Sequence, residues 1–426
     1  MKPAKDNDAF PVLSRVKHPE EAGFSSEKLK QVDERIQEDI DNGFPGAVLL
    51  IIKDGKLVKN TAYGYVKKYD GLTPLSHPEK MKADTMFDLA SNTKMYAANY
   101  ALQKLVSEGK IDLDDRVQHY IPEFKDESED KIKGKDRLRL IDILHHSAGF
   151  PADPQYHHPA AAGTLYSQDR VKTLKMLSKT PLKYEPGTKN IYSDVDYMLL
   201  GYIVEKVTGQ LLDDYVENNI YKPLGLIHTL FNPLQKGFKQ TDFAATELMG
   251  NTRDGVINFP NIRTDTLQGE VHDEKAFYSM DGISGHAGLF SNTDDLAVLL
   301  QVMLNGGGYG DVRVFEQQTI HTFVRPSATN PTYGLGWRRN GNSSMAWMFG
   351  PHASETAVGH TGWTGTVTIL DFEQNLGIAL LTNKKHSSVI DPIKDPNTFA
   401  GDGFKTGKYG SVVTGIYEAL TATRSY

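Results

Sequence analysis

The chain has no cysteine among its 426 residues. This absence excludes disulfide bonds, thiolate nucleophiles and metal or iron–sulfur sites with cysteine ligands. The sequence contains 14 histidines, but no His-Glu-x-x-His motif occurs, so we expect neither a metal site nor a cofactor. Any catalysis must use other side chains.

Long hydrophobic runs and an excess of positive charge are also missing. No run of about 18 apolar residues exists, so we expect no membrane span. The formal net charge of -7 argues against nucleic acid as a partner. The first residues lack the apolar core of a signal peptide, which leaves either a cytoplasmic protein or a mature form whose leader was removed.

The remaining composition, 39% hydrophobic and 24% charged, is that of an ordinary globular protein. Residues 1–24 are mostly polar and contain prolines, which predicts an N-terminal arm laid on the surface. We expect one domain over residues 25–426. Strand patterns at 47–52 and in a hairpin of 364–371 with 376–382 lie near opposite ends of the chain, with helical patterns between them. The sequence predicts an α+β fold with one sheet closed by both ends.

The pattern Ser-x-x-Lys occurs five times, beginning at Ser14, Ser25, Ser91, Ser107 and Ser128. Only the copy at Ser91 follows a short apolar lead-in and opens an apolar helical stripe. That spacing places Ser91 and Lys94 on one helix face, where a partly desolvated amine can take the hydroxyl proton or tune the group that does. The alternative for Ser91 is a helix N-cap.

A second candidate stretch lies between a Pro-Gly turn and a helical pattern. Tyr192 stands at a loop tip, from which a phenol can project into a cleft, and Asp194 follows two residues later. The alternatives are a core aromatic for Tyr192 and a helix N-cap for Asp194.

The third candidate stretch is Gly-His-Thr-Gly-Trp-Thr-Gly at residues 359–365, just before the predicted hairpin. We expect substrate contacts from His360, Thr361, Gly362 and Trp363. A strand edge flanked by glycines lets a substrate backbone approach closely, and a following N–H can face a developing oxyanion.

Residues 236–280 show little periodicity and predict a long irregular segment of the kind that is functional or disordered. Polar residues at 251–254 and 261–263 suit a sugar or a peptide carboxylate, or else a solvated surface.

In this order, the three stretches resemble the motifs of serine β-lactamases and penicillin-binding proteins, with class C spacing, over residues 25–385. The resemblance implies an antiparallel sheet flanked by helices, a mainly helical lobe at about 95–290, and an active site at their junction. It also implies a two-step acyl transfer in which Ser91 attacks, Lys94 and Tyr192 share the acid–base work, and water resolves the acyl-enzyme. The N–H groups of Ser91 and Trp363 would form the oxyanion hole. Whether lysine or tyrosinate is the base stays open.

Two positions depart from the family pattern. Asp194 replaces the usual asparagine and His360 the usual lysine, so an amide donor becomes an acid and a permanent cation becomes an imidazole. We therefore expect inefficient β-lactamase action and substrate binding that depends on pH near neutrality through His360.

The same departures, with residues 285–290, resemble a subgroup of bacterial cell-wall hydrolases that includes penicillin-binding protein 4B and exo-acting N-acetylmuramoyl-L-alanine amidases. This resemblance implies an exported monomer, its leader removed, that acts on peptidoglycan fragments in cell-wall turnover. The expected activity is an exo-acting amidase. The alternatives are a D-alanyl-D-alanine carboxypeptidase, a carboxylesterase and a non-catalytic binder of cell-wall peptide.

Overall fold

The computed structural model describes residues 9–421. Its strands are β1 Ser14–Arg15, β2 Gly46–Lys53, β3 Lys56–Gly64, β4 Tyr69–Asp70, β5 Thr73–Pro74, β6 Phe87–Asp88, β7 Leu230–Phe231, β8 Leu289–Ser291, β9 Gly308–Tyr309, β10 Val312–Arg313, β11 Arg338–Arg339, β12 Val358–Gly362, β13 Thr366–Asp371, β14 Leu376–Thr382, β15 Val389–Asp391 and β16 Asp395–Phe399. Its α-helices are α1 Ser26–Asp41, α2 Tyr100–Ser107, α3 Val117–Tyr120, α4 Leu140–Leu144, α5 Pro159–Ala162, α6 Arg170–Lys179, α7 Asp194–Thr208, α8 Leu212–Val216, α9 Thr293–Leu304, α10 Gln317–Val324, α11 Ala346–Phe349 and α12 Gly410–Thr421.

The main sheet joins strands from both ends of the chain in the order β1-β3-β2-β14-β13-β12-β11. Its neighbours are antiparallel except for β1 and β3. At the centre, Leu50 of β2 pairs with Ala379 of β14. The predicted sheet and the predicted C-terminal hairpin, now β13 and β14, are both confirmed.

Alternate residues of β2 enter two different cores, because successive side chains of a strand point to opposite faces. Leu50 and Ile52 face a core to which α9 and the helical part of the chain contribute. Leu49 and Ile51 face a second core formed with α1 and α12. Burial on both faces explains why β2 is apolar without interruption.

A second, three-stranded sheet in the order β6-β8-β7 fixes the chain just ahead of Ser91. Phe87 and Asp88 of β6 pair with Ser291 and Phe290 of β8. The segment that carries the candidate serine is thereby attached to β8, which lies at the C-terminal end of the predicted helical lobe.

Strand β1, from the predicted N-terminal arm, lies parallel to β3 at the edge of the main sheet. The division of the chain at residue 24 stays a prediction, and residues 1–8 of the arm lie outside the described residues. None of the helices described between residues 9 and 421 combines the length and the apolar composition that a bilayer crossing needs.

Candidate active site

Ser91 lies in a tight turn, Ala90–Asn92, directly after β6. Ala90 has a φ of 47°, a left-handed conformation that is strained for a residue with a side chain. The Asp88 carboxylate stabilises the turn by accepting the Ala90 N–H at 2.8 Å. Gly362 of β12 packs against this segment so closely that a Cβ atom would lie 2.3 Å from the Leu89 carbonyl oxygen. Only glycine fits there, which keeps β12 against the serine turn.

The structure brings Ser91, Lys94 and Tyr192 together. Lys94 Nζ lies 2.9 Å from Ser91 Oγ, and the Tyr192 phenol donates to the same oxygen at 2.6 Å. The Lys94 ammonium also lies 4.7 Å from the centre of the Tyr192 ring. Two proton-transfer groups therefore contact one hydroxyl, which is the geometry that activates a serine nucleophile.

Lys94 is fully buried and has two further partners, Asp194 Oδ1 at 2.8 Å and the His286 carbonyl oxygen at 3.1 Å. Both partners only accept hydrogen bonds, so a neutral amine would direct its two N–H groups at them and its lone pair at Ser91. Burial opposes the charge of Lys94, but Asp194 and Tyr192 outweigh burial and raise the pKa of Lys94. The amine is therefore protonated at rest and must lose a proton before it can act as a base.

Asp194 opens α7 and lies between two lysines. Its second oxygen, Oδ2, contacts Lys275 Nζ at 3.1 Å. Burial alone would favour the neutral acid, but Lys94 and Lys275 together lower the pKa of Asp194, so it is a carboxylate. Both oxygens of Asp194 already bind lysines. The expected substrate-binding role of Asp194 stays a prediction.

Lys275 is the residue at this site that sequence reasoning missed. Its ammonium pairs with Asp153 as well as Asp194 and lies 3.9 Å from Asp273. Burial opposes its charge, but Asp273, Asp153 and Asp194 raise the pKa of Lys275 well above its ordinary value. The signal in the sequence was the run His-Asp-Glu-Lys at residues 272–275 inside the irregular segment 236–280.

The expectation that His360 makes substrate binding depend on pH near neutrality is wrong. The residue is 2% exposed, and its Nδ1 lies 2.8 Å from the carbonyl oxygen of Thr361. Burial, together with the nearby Lys94 charge, lowers the pKa of His360 to about 3. A buried imidazole beside a cation stays neutral at physiological pH, so His360 does not replace the charge of the family's lysine.

We expect the midpoint of the pH dependence of kcat/KM between about pH 5.5 and 8 to be the same in His360→Gln and in the wild type. The His360 imidazole is already neutral over this range, so it does not titrate there. Rates measured across this range in both proteins check the expectation, with the exposed His352→Gln as a control. An inflection near pH 6.5 that is present in the wild type and absent from His360→Gln would contradict it.

A cavity of about 280 Å³ opens over Ser91. It is lined by Ala90, Ser91, Ala152, Asp153, Tyr192, Asp194, Arg253, His272, Asp273, Glu274, Lys275, Ala287, Trp363 and Asn397. Of the four residues predicted from the third stretch, only Trp363 is in this wall. His360, Thr361 and Gly362 lie on β12 outside this lining, and their contact with substrate stays a prediction.

Trp363 follows the end of β12, where the ladder with β13 stops at the Gly362–Thr366 pair. Its indole is stacked on the His272 ring at 4.6 Å, and the Arg253 guanidinium lies 4.7 Å from the indole centre. The backbone N–H of Trp363 lies beyond the last residue pair of the β12–β13 ladder. The oxyanion hole expected from this group and the Ser91 N–H stays a prediction.

Asp194, Asp273 and His286 have ligand atoms within 4.8 Å of one another, the spacing of a metal site. Lys275 already brings a positive charge to both carboxylates, and His286 Nε2 bonds Asp273 at 2.7 Å. The cluster is therefore neutralised by protein groups, and we assign no metal to it.

A serine that contacts a buried lysine and a tyrosine, in a fold whose main sheet is flanked by helices, defines the class of serine hydrolases related to penicillin-binding proteins. The Beta-lactamase family description matches residues 32–401. The chain belongs to this family.

Two of its relatives cover nearly the whole chain. An N-acetylmuramyl-L-alanine amidase of Bacillus subtilis (strain 168) is 64% identical over 406 residues, which are 95% of this chain and 92% of the relative. A putative D-alanyl-D-alanine carboxypeptidase of Escherichia coli (strain K12) is 60% identical over 411 residues, 96% of this chain and 94% of the relative.

Solved structures with the same fold include two kinds of protein. EstCE1, a hydrolase with promiscuous acyltransferase activity, matches with a TM-score of 0.68 at 20% identity and covers 92% of this chain and 98% of its own. A penicillin-binding protein homologue from Caulobacter crescentus matches with a TM-score of 0.63 at 20% identity and covers 93% and 99%. The predicted fold class is confirmed.

Proposed function

We propose that the chain is an exo-acting N-acetylmuramoyl-L-alanine amidase that works through an acyl-enzyme on Ser91. The observation that carries the covalent mechanism is Ser91 Oγ, which is in contact with both Lys94 Nζ at 2.9 Å and the Tyr192 hydroxyl at 2.6 Å. Proton transfer by such positioned groups contributes roughly 10²- to 10⁴-fold to a rate.

In the first step Lys94, once it has released its resting proton to solvent, takes the Ser91 proton while Oγ bonds to the lactyl carbonyl carbon of the muramic acid. The resulting oxyanion accepts hydrogen bonds from the N–H groups of Ser91 and Trp363. The C–N bond then breaks, Tyr192 gives its proton to the departing L-alanine nitrogen, and Lys94 returns a proton to the phenolate. The muramoyl ester of Ser91 remains.

In the second step, water enters where the peptide amine left. Tyr192 takes a proton from the water as its own proton passes to Lys94, the hydroxide attacks the ester carbonyl, and Lys94 gives its proton to Ser91 Oγ as the ester bond breaks. The products are a free muramic acid carboxylate and a peptide with a free L-alanine amine.

The charge of the cavity wall favours an internal amide over a terminal D-Ala-D-Ala bond. A carboxypeptidase must bind the carboxylate next to the bond it cuts, which calls for an available cation. His360 is neutral, and Lys275 is held by three carboxylates. Arg253 is bonded to Glu247 and Glu274. The lysine and arginine side chains that line the cavity in the described structure thus already have acidic partners.

The identity of 64% to a relative named N-acetylmuramyl-L-alanine amidase supports the same choice, although the relatives named as carboxypeptidases are nearly as similar. A cavity of about 280 Å³ suits a terminal sugar unit with its lactyl group, which supports action at an end of the glycan. The substrate class is then muropeptides, and we propose an extracytoplasmic location because peptidoglycan lies there.

MurNAc-peptides and a pentapeptide that ends in D-Ala-D-Ala, offered side by side, distinguish the candidate activities. We expect mass spectrometry to detect free MurNAc and the released peptide, with the D-Ala-D-Ala bond intact. Release of D-alanine with the muramoyl bond uncut would assign a carboxypeptidase. Turnover of simple esters while both amides survive would assign an esterase, and binding without any turnover would assign a cell-wall peptide binder.

A further inference from the structure

We propose that Lys275 is a positioning residue for the acylation step, whose charge acts through Asp194 to keep more of Lys94 in the neutral form that can accept the Ser91 proton. The inference rests on the roles proposed above for Ser91 and Lys94. It assigns to the irregular segment 236–280 a part of the catalytic electrostatics that the three family motifs do not contain.

The contact path runs through one carboxylate. Asp194 Oδ1 binds Lys94 Nζ at 2.8 Å, and Asp194 Oδ2 binds Lys275 Nζ at 3.1 Å. A carboxylate shared by two ammonium groups attracts each proton less than one that serves a single lysine. Lys275 therefore limits how strongly Asp194 holds the proton of Lys94.

The surrounding charges make this limit necessary. Three carboxylates converge on Lys275, from Asp153, Asp194 and Asp273. Without the Lys275 charge they would face Lys94 across a buried site, where charges are poorly screened. An ammonium held that firmly would keep its proton and leave Ser91 without a base.

Lys275 is also held rigidly. Its side chain is 3% exposed, and Asp273, two residues earlier, accepts the Ala276 N–H at 2.8 Å and thereby fixes the local turn. His286 bonds Asp273 at 2.7 Å from the other side. A buried, anchored ammonium keeps its distance to Asp194 constant through the reaction, as preorganised electrostatics require.

The other groups around Lys94 do not perform this task. The titratable groups that interact electrostatically with Lys94 come from three parts of the chain. They are Tyr192, Asp194 and Asp196 just before and at the start of α7, His146 after α4, and His360 of β12. Burial lowers the pKa of both His146 and His360, which leaves them neutral. Besides Lys94 itself, the cations that act on the Asp194 carboxylate are Lys275 and, with a smaller effect, His286.

The test follows covalent labelling of Ser91 by a fluorophosphonate as a function of pH, which needs no knowledge of the natural substrate. Ser91 Oγ bonds to phosphorus, fluoride leaves, and Lys94 takes the serine proton. The labelling rate therefore rises with pH as Lys94 loses its resting proton. We expect Lys275→Met to move the midpoint of this rise upward by about one pH unit or more, which is measured as labelling about tenfold slower at a given pH on the rising limb.

Asp153→Asn provides an opposite and independent change. Its side chain is 56% exposed and touches Lys275 from the solvent side, so the substitution threatens folding less. Loss of this carboxylate strengthens the effect of Lys275 on Asp194, and we expect the midpoint to move downward. Lys275→Arg, which keeps the charge, should restore at least half of the Lys275→Met shift.

The matched control is Lys135→Met. Lys135 is likewise a fully buried lysine, bound to Asp130 at 3.1 Å and to the Ser178 carbonyl at 3.2 Å, away from the cavity. It should lower the melting temperature without moving the labelling midpoint.

The outcomes separate the two proposals. A wild-type protein that is not labelled at Ser91 would overturn the proposed function, and the present inference with it. Labelling at Ser91 with the same midpoint in the wild type, Lys275→Met and Asp153→Asn would overturn only the role of Lys275, whatever the melting temperatures. If Lys275→Met does not fold, the direction of the Asp153→Asn shift decides.

Discussion

Ser91→Ala is expected to abolish covalent labelling by a fluorophosphonate and to lower kcat/KM by a factor on the order of 10⁴ to 10⁶, the range found when a catalytic serine or its partners are removed. The reason is geometric, because Ser91 is the hydroxyl in the cavity that both Lys94 and Tyr192 contact. Mass spectrometry of the labelled peptide and steady-state rates on a MurNAc-peptide provide the measurement.

Ser107→Ala is the control, since Ser107 also begins a Ser-x-x-Lys pattern. Its hydroxyl lies 2.8 Å from Thr319 Oγ1 and accepts the Glu316 N–H at 2.9 Å, so it fixes α10 to the end of α2. Both labelling and turnover should survive this change. Labelling of the wild type at any serine other than Ser91 would refute the assignment.

Lys94→Ala and Tyr192→Phe are each expected to lower kcat/KM by about 10² to 10⁴, the typical contribution of one proton-transfer group. Tyr192→Phe removes one oxygen and keeps the ring, so the melting temperature should hardly change. Lys94→Ala also leaves Asp194 with one lysine, so we expect a lower melting temperature for that variant.

Tyr156→Phe is the matched control for the tyrosine. Tyr156 is fully buried, and its hydroxyl lies 2.6 Å from Thr180 Oγ1 without contact to Ser91. Activity should stay within a few-fold of the wild type. Near wild-type turnover by Tyr192→Phe at an unchanged melting temperature would return Tyr192 to a purely structural role.

The local patterns predicted much of the fold because they report burial directly. Helix α1 begins at Ser26, and Ser25 caps it by accepting the Lys28 N–H at 3.2 Å. That Ser-x-x-Lys copy is therefore a helix cap. The apolar run of β2 and the hairpin of β13 and β14 were readable for the same reason, since each strand is buried on the faces that its sequence shows as apolar.

The sequence predicted the residues of the candidate site only where these residues belong to the family motifs. Ser91, Lys94 and Tyr192 meet as expected, but Lys275 arrives from a segment without periodicity, and no spacing rule connects residue 275 to residue 94. The state of His360 was misjudged for a related reason. The charge of an imidazole depends on its burial and neighbours, and these are set by β12, α7 and the Ser91 turn together.

The pairing of β2 with β14 determines when the main sheet, and with it the active-site cavity, can form during folding. Residues 46–53 are synthesised long before their partners at 376–382. Joining segments so far apart carries a large loop-closure entropy, and chains rich in such contacts fold slowly. The cavity wall at Trp363 belongs to the same late section. A chain that lacks residues 358–382 therefore carries its nucleophile without this part of the cavity wall, and we expect no hydrolytic activity until that section has folded.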